Sequence, residues 1–137
     1  MKMRLDGDSG VLEFERCEVG KAGGPVDPDV LLSFTVKVAN YSAADQVWIA
    51  APDLSEFSEN LHRLESRRQG EAILSGASAD DLMLKFYSTD SVGHMAVVGH
   101  VGWQRSEDFP LRLEFGFEFD PDRLRLLLEF FRSLSLQ

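Results

Sequence analysis

Imidazole titrates near neutrality and ligates metals, so the first residues that could do chemistry are His94 and His100, six positions apart. On a straight strand they share one face but sit roughly 20 Å apart, at ~3.3 Å per residue. Zinc–nitrogen bonds are about 2 Å long, so a shared metal requires the strand to fold back at Gly99. Met95, Val97, Val101 and Trp103 make the opposite face apolar. Structural or surface roles for both histidines follow, and His62, beside Arg63, reads as a solvated residue. Carboxylates are the second candidates. Glu13 and Glu15 share one strand face, as do Glu114 and Glu118. Glycoside hydrolysis needs two carboxyls about 5–5.5 or 6.5–9.5 Å apart. Any exposed i, i+2 pair on a strand meets that spacing, and nothing around these glutamates signals a pocket or a raised pKa.

Other reaction chemistries lack their parts. Gly20, Gly23 and Gly24 contain no Gly-Lys-Ser/Thr sequence, and no G-x-G-x-x-G opens a helix. The G-x-S-x-G nucleophile elbow is missing. Cys17 is the only cysteine, so it has no disulfide partner in this sequence and reads as a small structural hydrophobe. The expectation is a protein that is not an enzyme, with no metal and no cofactor.

What remains is surface. Fourteen basic against 23 acidic residues give a net charge of -9 and a pI near 4.7. A phosphate backbone repels such a chain, which argues against direct nucleic-acid binding. A basic protein partner is instead attracted and oriented. Glu13, Glu15, Glu114 and Glu118 are therefore expected to face the partner, with Trp48 as an aromatic anchor. Trp103, Leu126 and Phe130 also exceed what one core surface needs; each suits the core or an interface, and the apolar last helix is either wedged inside the domain or a homodimer contact.

The elements that must position these residues show clear periodicity. Leu12 and Phe14 alternate with Glu13 and Glu15. After a glycine- and proline-rich stretch, Val30, Leu32, Phe34, Val36 and Val38 alternate again. Asn40, Tyr41, Ser42, Ala43, Ala44 and Asp45 read as a hairpin connection, with 46–50 as the return strand. Leu54, Phe57, Leu61 and Leu64 then fall on one helical face. Asp53 and Glu56 suit a capping box at its start, and Gly70 suits a left-handed stop. Shorter strand signals cover 72–74, 82–87 and 93–103. Leu111, Leu113, Phe115, Phe117 and Phe119 make the strongest strand of all. Asp120 then caps a second helix at Pro121, whose core face is Leu124, Leu127, Leu128, Phe131 and Leu134.

These elements predict one α+β domain over residues 1–137, a curved, mainly antiparallel sheet with a mid-chain and a C-terminal amphipathic helix. No sequence repeat or low-complexity segment interrupts it. The stretch 91–104, the longest in the second half without Asp, Glu, Lys or Arg, falls short of the ~18 apolar residues of a spanning helix. No membrane association is expected. The first ten residues lack an apolar signal region, and a cytoplasmic location is the expectation.

The segment Asp53-Leu-Ser-Glu-Phe57, with Leu61, Leu64 and Gly70-Glu-Ala-Ile-Leu74, resembles a helix and following strand of one bacterial family. That family is the immunity proteins accompanying wall-associated-protein-type contact-dependent toxins. Gly93-His94 opening a Val-rich strand is similar too, as is the Leu- and Phe-rich strand running into Asp120-Pro-Asp-Arg-Leu124. The similarity covers about residues 30–135. The family usually has Asp-Gln before the last helix; Asp120-Pro121 keeps the cap and loses the Gln. The resemblance implies a small protein that binds and neutralises the C-terminal domain of a cognate toxin, often a nuclease.

Overall fold

The computed structural model describes residues 2–20, 29–78, 81–104 and 108–135. The glycines at 23 and 24 and the Trp103 side chain lie outside the described residues. Eight strands and two helices run in the order β1 (Lys2–Asp6), β2 (Gly10–Val19), β3 (Val30–Val38), β4 (Tyr41–Ile49), α1 (Ala51–Arg67), β5 (Glu71–Ser75), β6 (Leu82–Ser88), β7 (Met95–Gln104), β8 (Pro110–Phe119) and α2 (Arg123–Ser135). The fold is α+β and antiparallel, with one mid-chain and one C-terminal helix.

The strands divide into two four-stranded meanders, β1-β2-β3-β4 and β5-β6-β7-β8. Four strands followed by a helix therefore occur twice, although no sequence repeat announces it. The two units interlock. At the β1–β2 turn the Asp8 amide donates to the Glu118 carbonyl of β8 at 2.8 Å. After β5 the Ala77 amide donates to the Trp48 carbonyl of β4 at 2.7 Å. The helices are exchanged in the same sense, with α1 packing on β5 and α2 on β1.

Alternation explains which faces turn inward. Leu12, Phe14, Leu32, Phe34 and Val36 are fully buried from the first sheet, as are Leu74, Leu84, Phe86 and Val97 from the second. Sharing that core are Leu54, Phe57, Leu61 and Leu64 of α1 and Leu124, Leu127, Phe131 and Leu134 of α2, the two faces expected from their spacing. A chain of phenylalanine rings ties both sheets and both helices together. Phe131 meets Phe14 at 5.3 Å and Phe57 at 4.9 Å. Phe57 meets Phe86 at 5.9 Å, and Phe86 meets Phe119 at 6.1 Å. Phe130 is buried against Phe14, so it belongs to the core; Leu126 stays 45% exposed.

Three local expectations are corrected. Helix α1 begins at Ala51, with Ala50 as N-cap and Asp53 inside the first turn. Proline's fixed φ and missing amide suit that first turn, so Pro52 starts the helix earlier. The cap comes from a distance: Asp29 Oδ1 accepts the Ala51 amide at 3.1 Å. At the other end Arg68, not Gly70, takes the left-handed cap, with φ 57° and its amide on the Leu64 carbonyl. Finally, the connection before β4 is only Ala39 and Asn40. Val38 already faces Tyr41, and 41–45 belong to the strand. Asp120 organises the turn that leads into α2, its carboxylate accepting the Asp122 amide at 3.0 Å and its carbonyl the Arg123 amide at 2.9 Å.

Candidate protein-binding surfaces

Both sheets turn their other faces to solvent, on the far sides of the shared core. Glu13, Glu15 and Trp48 stand on the outer face of the first sheet, and Glu114 and Glu118 on that of the second. The four glutamates therefore form two sets rather than one surface. Strand parity identifies the outward positions but carries no information about which sheet a strand joins.

On the first sheet, Glu13 is held by Lys2 at 3.1 Å and by Arg4 at 3.5 Å, and Arg4 also meets Asp6 at 3.0 Å. Its charge is largely matched locally. Glu15 pairs in register with Lys2 and Ser33 and makes no ion pair among the described residues. Beside it, a bulge between Arg16 and Glu18 turns Cys17 outward, where Gln46 Nε2 donates to its sulfur at 3.8 Å. Trp48 is 40% exposed, at the edge and opposite Leu31.

The second sheet has a different outer face. Its central row runs Ile73, Lys85, Val98 and Gly116 across the four strands. One flanking row is Glu71, Tyr87, Ala96 and Glu118, and the other is Ser75, Met83, His100 and Glu114. Lys85 bridges to Glu71 at 3.0 Å and lies 5.1 Å over the Tyr87 ring. Arg112 joins Glu114 at 3.0 Å and the His100 Nδ1 at 3.0 Å. The result is a half-buried apolar strip with carboxylates at both margins, an apolar centre within a polar rim as in protein interfaces.

His94 lies just before β7 and is not paired with His100. The Asp90 Oδ1 accepts the amides of Val92, Gly93 and His94 at 2.9, 3.0 and 3.2 Å, and Oδ2 meets the His94 Nδ1 at 2.5 Å. The turn needs Gly93, whose φ is 96°. Hydrogen bonding from His94 holds the Asp90 carboxyl at about 2, and the same bond, aided by the charges of Asp90 and Glu118, raises the His94 pKa above 6.5. The sign of each effect sets a pH window. Asp90's contribution is present above its ordinary 3.8 and falls away as pH drops towards 2. His94's is complete below 6.5 and is lost as pH rises through its elevated value. NMR titration of the His94 ring should thus give a midpoint above 6.5 that Asp90→Asn moves down; an unchanged midpoint contradicts the assignment.

A groove of about 680 Å³ opens between the sheets, where Ser42, Ala43 and Asp45 of β4 face Leu111, Arg112 and Leu113 of β8. Asp45 shares the inward face of its strand with Val47 and Ile49, opposite Phe34 in register. The Phe34 and Phe115 rings stack at 6.2 Å, joining the first sheet directly to the second. A charge pointing inward on an edge strand discourages sheet extension there. Among the described residues, no three His, Cys, Asp or Glu gather as metal ligands, and no helix is long and apolar enough to cross a membrane. Compared with family models, curated proteins and solved structures, the chain shows no match to any.

Proposed function

We propose that this chain is a non-enzymatic binding protein that neutralises a cognate bacterial toxin domain, a basic nuclease, by covering it with an acidic surface inside the cytoplasm. The observation that carries the reading is the outer face of the second sheet. Ile73, Met83, Tyr87 and Val98 surround Lys85 on a largely apolar face, with Glu71, Glu114 and Glu118 at its margins, in a chain of net charge -9. A basic nuclease surface complements such a face, and the similarity to toxin-associated immunity proteins supports the same partner class. The test is a search for a neighbouring reading frame that encodes a basic toxic domain, then co-expression of that domain with this chain and capture at low and high salt. Rescue of growth, with capture that weakens at high salt, is the expected result. Failure to rescue overturns the reading. A second reading, self-association through α2, has Leu126 in its favour, 45% exposed beside Lys2 and Arg4. Sedimentation showing a dimer that Leu126→Glu dissociates would replace the first reading with the second.

A further inference from the structure

The order of the second sheet leaves β5 as an edge strand. Hydrogen bonds from Ser88 N to Gly70 O (3.1 Å) and from Gly76 N to Leu82 O (3.0 Å) fix the phase of its ladder with β6. In an antiparallel ladder alternate residues bond inward, so Ala72 and Leu74 serve β6. Glu71, Ile73 and Ser75 then direct their amide and carbonyl groups to the open side. The same three residues line one wall of a groove of about 300 Å³, whose other wall is Asp53, Glu56 and Asn60 of α1. An open strand edge beside a helix flank is the geometry that accepts an extended peptide as an added strand.

The corresponding edge in the other unit is β1, packed beside α2. Its outward residues are Lys2, Arg4 and Asp6, a charge at every position, with Arg4 and Asp6 paired to each other. Such charges protect an edge from further pairing. The β5 edge instead centres on Ile73, which is 46% exposed. Its groove also has a sign. Glu71 is held by Lys85, whereas Asp53 and Glu56 make no ion pair among the described residues.

We propose that the β5–α1 groove takes an extended basic segment of the partner as a fifth strand, main chain on Glu71, Ile73 and Ser75, an apolar side chain on Ile73 and a Lys or Arg on Asp53 and Glu56. The proposal rests on the reading of this chain as a protein-binding module and adds the place and mode of docking.

The probe is the capped peptide Thr-Lys-Val-Arg-Val-Lys-Thr, with Thr-Glu-Val-Glu-Val-Glu-Thr as control, added to the ¹⁵N-labelled full chain. The basic peptide should shift the Glu71, Ile73 and Ser75 amides, slow their hydrogen exchange and bind more weakly as salt rises. Ile73→Pro removes one outward amide without touching the β6 ladder and should weaken binding about tenfold. If that variant does not fold, Ile73→Lys sets a like charge against the peptide and should weaken binding similarly. Equal binding of the acidic peptide, shifts confined to another edge, or undiminished binding by a folded Ile73 variant overturns the proposal. So does concentration-dependent protection of the Ile73 amide in the free protein, which would assign the edge to a second copy. Capture of the toxin domain by wild type and Ile73→Pro alike rejects this docking mode and leaves the partner reading standing. Peptide binding without capture does the reverse.

Discussion

Phe131→Ala should destabilise the protein by about 3–5 kcal/mol, the range for removing a buried aromatic ring from a packed core. Phe131 is fully buried on α2 and contacts rings of the first sheet, of α1 and of its own helix. Its removal leaves a cavity where the two units meet, and the surrounding strands cannot collapse into it without moving both sheets. Typical domains are stable by only about 5–15 kcal/mol, so the variant should unfold at a much lower denaturant concentration. Equilibrium urea unfolding is the measurement. A shift of the midpoint corresponding to less than about 1 kcal/mol would show that the two units are stable independently of this ring.

Gly7→Ala tests the interlock from the other side. A Cβ placed on Gly7 would lie 2.1 Å from Phe117 Cδ2 and 2.5 Å from the Glu118 carbonyl oxygen. The ring can shift, but the carbonyl belongs to the backbone of β8 and itself accepts the Asp8 amide. Asp8 Oδ1 in turn accepts the Glu118 amide at 3.0 Å, so a displaced turn loses both bonds. Overpacking of this kind costs about 1–3 kcal/mol, and loss of the two hydrogen bonds places the expected effect at the upper end. Differential scanning calorimetry should record a lower Tm. An unchanged Tm would mean that the turn and β8 separate freely.

Strong periodicity was legible in this sequence; partnership was not. The alternation of β3 and the apolar faces of α1 and α2 appear in the structure as read, whereas β8 buries only Phe117 and Phe119 and leaves Leu111 exposed at the groove. The first part of β4 carries no strand signal because its inward positions are Ala43 and Asp45, which line the inter-sheet groove instead of filling the core. Short β1 carries only Met3 and Leu5 as its inward pair, which is weak alternation over five residues. The cap of α1 comes from Asp29, 22 positions away, beyond the reach of any local motif. Among the candidate site residues, parity puts Glu13, Glu15, Glu114 and Glu118 on outer faces, whereas Trp48 is a candidate for its aromatic size alone. Parity could not divide the glutamates between two sheets, because alternation repeats identically whichever strand lies alongside. Ile73 is hidden for a related reason: in Glu-Ala-Ile-Leu it sits within an apolar run, and only the pairing partner shows which side it faces.

The exchange of helices between units has a consequence for biosynthesis. The apolar side of β1 is covered by α2, and more than a hundred residues separate Asp6 from Arg123. At ribosomal speeds of about 5–20 residues per second, that interval lasts roughly 6–23 s. Throughout it Met3 and Leu5 lack the helix that packs on their strand, and Phe14 lacks the Phe130 and Phe131 rings. Helix α1 waits as well, though for less time, until β5 and β6 have emerged. The nascent chain is therefore a natural client for hydrophobic-surface chaperones, and its solubility during synthesis depends on the charges beside those strands: Lys2, Arg4, Glu13 and Glu15.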